Sequence, residues 1–346
     1  MERQEKPQIF SAAQQKLWRQ SAPSIWTLDA DHVNTDPALS IMRTLFDHPR
    51  WLEALHLYDE RGSHLFERIC ELPEYYSTRT EDSILEREAG QVIALAPVEC
   101  IFELGAGFSK KTMRLLREQV RQRQGGTFAP VDVSLAGLTA SRKIIKKELP
   151  QLVFHGLEAQ FEEGIASIEK ELPTMFVFLG STVGNLNRSE LVRFFELLSE
   201  SMGPHDFLLL GVDRVKDVEI LERAYNDSQG VTGDFILNAF LNINRLTKSN
   251  FELNKMRYHS VYDPNRQQVE MYAVSTCTQE IRFPSYGTSF TWEKDERILV
   301  EISRKFEPEQ LQKQLRLFGF ELMEHFTDPK GWFSLLLFRK SAVALT

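Results

Sequence analysis

Residues 101–112, IFELGAGFSKKT, run an apolar segment into an acid, two glycines one residue apart and then two lysines. A short apolar run that stops at glycine reads as a buried strand entering a turn. Gly105 and Gly107 permit positive φ and let a ligand approach the backbone where a Cβ would block it. The same rhythm recurs on both sides. From about residue 98 to 213 the chain alternates CIFELGAG with KKTMRLLREQVRQ, FAPVDVS with LTASRKIIKKEL, LVFHGLEA, TMFVFLGSTVGN with RSELVRFFELLSE, and DFLLLGVDR. Short apolar strands separated by amphipathic helices imply βαβ units and a parallel sheet buried on both faces. The expected fold class is therefore α/β, with a doubly wound, mostly parallel sheet. Near the C-terminus, FGFELMEHFTD and WFSLLLFRK are joined by DPKG. The Pro and Gly of that joint predict a hairpin closing the sheet edge.

Two blocks lack this rhythm. The first, 1–78, has helical periodicity in LSIMRTLF and ends in LPEYY; the second, 215–304, passes from a helical stretch into the strand-like QVEMYAVSTCTQEIRF and RILVEISRKF. We expect these blocks to form a smaller α+β cap, and 79–214 plus 305–346 to form the sheet domain. Ligands of open α/β sheets bind at the carboxyl ends of the strands, where strand order reverses. A cap over that edge is the natural place for substrate selection.

Composition narrows the partner. The chain has 346 residues, 42% of them apolar, and a formal net charge of −8. Counterion release from nucleic acid and attraction to anionic lipid both need concentrated Lys and Arg. A small-molecule substrate is expected, with no nucleic acid and no membrane. Cys70, Cys100 and Cys277 show no metal-ligand spacing, so neither a disulfide framework nor a metal site is expected. No apolar segment reaches the roughly 18 residues of a membrane span, and no targeting signal stands at the start. A cytoplasmic monomer is the expectation.

Three users of a glycine turn after a first strand compete. A nicotinamide-binding turn wants a third glycine where this chain has Lys110, and a phosphate-binding P-loop fails on spacing. The remaining common user is S-adenosylmethionine, whose amino-acid half can lie over Gly105 and Gly107. Asp132 ends the second strand, where an acid would take both ribose hydroxyls. A purely structural turn stays open, as does a solvated face for Lys110 and Lys111; of the two, Lys111 is the better candidate for the cofactor carboxylate.

Longer stretches narrow the choice. YDERGSHLFERICELPEYYSTRTE (58–81), ELGAGFSKKT (103–112), FLGSTVGNL (178–186), DRVKD (213–217), AYNDSQGVT (224–232) and ILVEISRKF (298–306) resemble the histidine-specific Nα-methyltransferases of ergothioneine biosynthesis. The resemblance covers roughly residues 50–340 in the expected order. It implies a class I (Rossmann-like) S-adenosylmethionine methyltransferase that moves three methyl groups in succession onto the α-amine of histidine. The products would be S-adenosylhomocysteine and the betaine hercynine. Relatives in this family act on other aromatic amino acids. The resemblance also implies roles. Asn185 and Tyr225 would hold the substrate carboxylate, Tyr58 and the Gly180 carbonyl would lie near the amine, and Tyr75, Glu301 and Ser303 would face the imidazole. Gly105, Gly107, Lys111 and Asp132 would hold the cofactor, and Tyr58 and Asn185 are the catalytic candidates.

Residue chemistry is consistent with those roles. Glu301 and Ser303 fall on one face of a strand because side chains alternate with period two. A carboxylate and a hydroxyl on one face can both meet one imidazole ring, although an exposed strand glutamate is the ordinary alternative. Asn185 ends the fourth strand segment, where it is either a carboxylate donor or a turn residue. Tyr58 and Tyr75 could be cap packing, yet their π faces suit a nitrogen that becomes a permanent cation. The attacking amine must be neutral, and Tyr58 or a water is expected to relay its proton. One departure stands out. Ala159, Gln160 and Phe161 replace the family's Gly-Asp-Phe, leaving the Gln160 amide, or Glu158, to meet the adenine amino group. Arg304 reads as plain surface.

Overall fold

Burial is continuous in the central strands. Every residue of CIFEL at Cys100–Leu104, TMFVF at Thr174–Phe178 and FLLLGVD at Phe207–Asp213 is buried, as parallel strands covered on both faces require. The computed structural model describes residues 18–28, 37–168 and 172–341. A hairpin of β1 (Trp18–Ala22) and β2 (Ile25–Leu28) precedes helices α1 (Pro37–Phe46), α2 (Glu60–Glu71) and α3 (Tyr76–Leu95). The alternating core then runs β3 (Cys100–Leu104), α4 (Met113–Arg123), β4 (Gly126–Asp132), α5 (Leu135–Glu148), β5 (Leu152–Phe154), β6 (Gly156–Glu158), α6 (Phe161–Ser167), β7 (Thr174–Phe178), α7 (Arg188–Ser201) and β8 (Phe207–Asp213). Helices α8 (Val218–Tyr225) and α9 (Val231–Thr247) lead into strands β9 (Met256–Asp263), β10 (Gln268–Ser275), β11 (Gln279–Phe283), β12 (Thr288–Trp292) and β13 (Arg297–Arg304). The chain ends in α10 (Pro308–Leu317), β14 (Phe320–Thr327) and β15 (Phe333–Lys340).

The main sheet has the order β1-β2-β6-β4-β3-β7-β8-β15-β14, with β5 beside β4. Pairing is parallel from β2 through β8 and antiparallel at β8–β15 and β15–β14, so the C-terminal hairpin closes that edge as its turn predicted. Side chains of β3 alternate between two apolar layers. Phe102 and Leu104 join the layer carrying Phe194 of α7 and Leu311 of α10, whereas Ile101 joins the one carrying Ile84 of α3 and Leu138 of α5. The chain leaves β3 toward β4 on one side and returns to β7 on the other. That reversal opens a crevice at the carboxyl ends of β3 and β7.

A third apolar core unites α1, α2, α8, α9 and the antiparallel sheet β13-β10-β9 with the β11–β12 hairpin. The expected division is corrected at its start. Residues 18–28, assigned to the cap, instead add a hairpin to the sheet edge, where β2 runs parallel to β6 from Ile25↔Gly156 to Thr27↔Glu158. The apolar side chains of that hairpin explain its place, since Trp18 and Ile25 are buried in the sheet's two layers. Cap and sheet also meet along the chain's return, where Val215 donates to the Phe306 carbonyl and Phe306 to the Asp213 carbonyl. Among the described residues no helix is long and apolar enough to cross a membrane, and no group of three His, Cys, Asp or Glu side chains is placed to hold a metal ion.

Candidate active site

The turn after β3 is held by its neighbour. Gly105 and Ala106 donate to the Val131 carbonyl at 2.9 and 3.1 Å. Gly105 and Gly107 take φ of +65° and +51°. A Cβ on Gly107 would meet nothing within 4 Å, so backbone conformation rather than crowding demands glycine there, and the space above the turn is open. Asp132, at the end of β4, accepts from Gly107 N–H at 2.7 Å and Ser134 N–H at 2.8 Å. Burial pushes its carboxyl up, against those two N–H donors. Glu103 lies beneath the turn and is buried. One of its oxygens accepts from the Thr112 hydroxyl, and the other has no partner among the described residues. Burial pushes this carboxyl up to about 8. An open glycine cradle, an acid at the next strand end and an orphaned buried oxygen fit a ligand carrying ribose hydroxyls and an ammonium group.

The other expected cofactor residues are engaged with the protein. Lys111 forms an ion pair with Glu81 of α3, which is fully buried and also accepts from Gly180 N–H at 2.9 Å on each oxygen. Gly211 in β8 makes room for this carboxylate, since a Cβ there would lie 2.0 Å from Glu81 Oε1. Gln160 is exposed and joins Glu163 in a capping box at the start of α6. Glu158 accepts from the Thr27 hydroxyl of β2. Both groups expected at the adenine amino group thus have partners in the protein. Phe161 packs against Phe178 and Phe194, each at 5.5 Å between ring centroids.

Beside the turn lies a cleft that is partly open to solvent. Tyr58, Tyr75, Gly180, Asn185, Tyr225, Glu301 and Ser303 all line it, so seven side chains or backbone units scattered over more than two hundred residues converge. Tyr58 follows a short 3₁₀ turn at Ala54–Leu57, and Asn185 ends another at Thr182–Asn185 beyond β7. Tyr225 closes α8 and meets Tyr75 edge-on at 5.9 Å, while Tyr58 meets Phe66 at 5.8 Å and Phe235 at 5.5 Å. Five aromatic rings, Tyr58, Phe66, Tyr75, Tyr225 and Phe235, therefore stand on the wall. Burial pushes the Tyr58 and Tyr75 phenols well above their ordinary range, so both keep their protons at neutral pH.

The polar end belongs to β13. Ile298 and Val300 are buried in the cap core, and the alternation then slips: Glu301 follows directly as a buried residue, and Ser303 after it. The slip is a bulge in the β10–β13 ladder, where Tyr272 pairs with Leu299 but Met271 pairs with Glu301, leaving Val300 as the extra residue. Asn185 Nδ2 donates to Glu301 Oε1 at 2.9 Å. Burial pushes the Glu301 carboxyl up to about 8, against the opposing pull of Lys305.

Lys305 escaped the sequence reading. Its ammonium is buried and donates to Tyr225 Oη at 2.7 Å and Ser303 Oγ at 2.7 Å, and it pairs with Asp213 Oδ2 at 3.0 Å. The signal was present, because Lys305 is one more step of two beyond Glu301 and Ser303. Phe66, Thr232, Phe235 and Met271 also line the cleft and were not anticipated. They read as ordinary helix and strand positions until the cap is folded. Arg304 is corrected from surface to half-buried: one guanidinium nitrogen is buried with no partner among the described residues, and the guanidinium sits 5.7 Å from the Phe306 ring. Gly184 packs on its backbone so closely that a Cβ would lie 2.8 Å from the Arg304 carbonyl oxygen.

Comparison with known proteins follows the same lines. Residues 37–340 match the family described as histidine-specific, SAM-dependent methyltransferases. The histidine N-alpha-methyltransferase of Mycolicibacterium smegmatis is 35% identical over 289 residues, covering 84% of this chain and 88% of its own. Its namesake in Mycobacterium tuberculosis is 33% identical over 317 residues, covering 90% and 98%. An L-tryptophan methyltransferase of Psilocybe serbica is 25% identical, covering 92% of this chain and 98% of its own.

Proposed function

The chain belongs to the histidine-specific, SAM-dependent methyltransferases, and from that premise we propose that it trimethylates the α-amine of L-histidine to hercynine, the first step toward ergothioneine. The observation that carries the reading is the buried Glu301 carboxyl, bonded to Asn185 in a cleft that also presents the Tyr58, Phe66, Tyr75 and Phe235 rings. A buried carboxyl needs a partner, and an imidazole ring supplies one at each protonation state. Rings without such a nitrogen would leave its second oxygen without a partner beyond the Asn185 bond to the first, a penalty that reaches about 10⁴-fold in sites built this way.

Bound S-adenosylmethionine supplies a methyl group activated by a sulfonium. The protein's part is alignment at near-attack distance. Gly105 and Gly107 would give the backbone its close approach to the cofactor, Asp132 would take the ribose hydroxyls, and Lys111, shared with Glu81, would meet the cofactor carboxylate. Phe161 and Gln160 would hold the adenine. Asn185 and Tyr225 hold the substrate carboxylate, which no methyl transfer alters, so partly methylated intermediates rebind in one register. Tyr75, Glu301 and Ser303 receive the imidazole. One proton must leave the nitrogen before each transfer. Tyr58 keeps its own proton, so its hydroxyl would relay by accepting one proton from the amine while giving another to solvent water in the open cleft. We propose further that it acts as a cytoplasmic monomer.

The test is mass spectrometry of purified protein with S-adenosylmethionine and all twenty amino acids together, then with histidine alone for wild type and Glu301→Ala. A gain of three methyl groups on histidine only, lost in the variant, supports the reading. Methylation of tryptophan or tyrosine instead overturns the assignment of the polar end, and no methylation overturns catalysis on free amino acids.

A further inference from the structure

Behind the cleft lies a buried charge cluster that the proposed chemistry does not use. Lys305 and Lys216 flank Asp213: Lys305 Nζ is 3.0 Å from Oδ2 and Lys216 Nζ 2.5 Å from Oδ1. The Tyr76 hydroxyl donates to Asp213 at 2.8 Å and accepts from Lys216 at 2.7 Å. Two ammonium groups on one carboxylate leave an excess positive charge, and Lys305 is its member nearest the cleft.

The hydrogen count around Lys305 has a definite result. An ammonium has three N–H donors and no acceptor, and here all three are used, on Asp213, Tyr225 and Ser303. Both hydroxyl oxygens therefore accept from Lys305. The two hydroxyls also lie 2.7 Å apart, so one donates to the other. Two hydroxyl hydrogens, less the one between them, leave a single O–H, and both residues line the cleft. We propose that Lys305 is a positioning residue: it turns the Tyr225–Ser303 pair into one fixed O–H donor aimed into the cleft, backed by a positive charge. Such a donor selects the carboxylate of the substrate, and disfavours a ligand presenting an N–H at that point. This rests on the amino-acid methyltransferase reading above and adds a residue and a polarity to it. Asp213 and Tyr225 outweigh burial and hold the Lys305 ammonium above the ordinary lysine range, which keeps the device charged at every physiological pH.

Lys305→Met is a fair probe because Asp213 keeps Lys216 and Tyr76 as partners, so no buried charge is orphaned. Calorimetry would measure S-adenosylhomocysteine binding first and then amino-acid binding to that complex. The ligand is histidine, or whichever of the twenty amino acids wild type methylates, so a wild type that ignores histidine overturns the substrate assignment alone. Expected is cofactor-product binding within about twofold of wild type and amino-acid binding weaker by about 10- to 100-fold, the range for a hydrogen bond to a charged group. Lys305→Gln, which keeps two N–H donors without the charge, should recover part of the loss. In a Tyr225→Phe, Ser303→Ala background, Lys305→Met should add less than about threefold, since its effect runs through those hydroxyls. Unchanged amino-acid affinity, equal loss of both ligands, or full additivity in that background would overturn the proposal. Should Lys305→Met not fold, the same cycle run with Lys305→Gln decides it.

Discussion

The pH dependence of ligand binding puts the reading of Glu301 at greatest risk. Hercynine is the useful ligand, because its trimethylated nitrogen carries no proton and only its imidazole titrates. Burial holds the Glu301 carboxyl up to about 8 in the empty cleft. A free imidazole titrates near 6.5. A complex in which Glu301 and the ring share one proton forms from the protonated acid and the neutral ring, so affinity should peak between those values and fall on both sides. At pH 9 only about a tenth of Glu301 retains its proton, which makes hercynine binding to the S-adenosylhomocysteine complex about eightfold weaker than at pH 7, and about tenfold weaker for each further unit. Glu103 and Lys216 also titrate near pH 8, Glu103 pushed up and Lys216 pushed down by burial, so a control must separate them. Glu301→Gln is that control. Calorimetric titrations from pH 6 to 9.5 should show the alkaline limb in wild type and not in the variant. A wild type with no alkaline limb, or a limb that survives unchanged in Glu301→Gln, would refute the shared proton.

Three further outcomes are expected. Tyr58→Phe should lower kcat at all pH values while leaving S-adenosylhomocysteine binding intact; full activity across the pH range would dispose of the relay. Gly211→Ala drives a Cβ to within 2.0 Å of Glu81, and overpacking of this kind costs about 1–3 kcal/mol, so thermal unfolding should shift down and the Lys111 pairing loosen; an unchanged melting temperature would show that Glu81 can move. Glu301→Gln should also change stability with pH. Below about 4.5 the carboxyl is protonated folded or unfolded and contributes no difference. As pH rises toward 8 the unfolded chain ionises first, so wild type loses up to about 1.4 kcal/mol per unit relative to the variant, and the gap in melting temperature should widen over that window; a gap that stays constant with pH would contradict the raised carboxyl.

Much of this molecule is legible along the chain because its cues are local. Continuous apolar runs between amphipathic helices specify buried parallel strands, and the two glycines after β3 require a backbone that other residues resist. The motif stretches carried the family and seven of the residues that line the cleft. What the chain could not convey depends on partners distant in sequence. The β1–β2 hairpin joins the sheet because β6 offers an edge, and no feature within 18–28 names that edge. Lys111 meets Glu81, and Gln160 caps α6, only once the helices are docked. Period-two alternation put Glu301 and Ser303 together but left open which side of the strand they take. The bulge at Val300 settles that. By adding one residue opposite β10 it sets Ile298 and Val300 into the apolar core and, one residue later, turns Glu301 and Ser303 into the cleft, with Lys305 bonded behind them. A strand's face reverses with a single-residue change of register, and register belongs to the pairing of two strands rather than to either one.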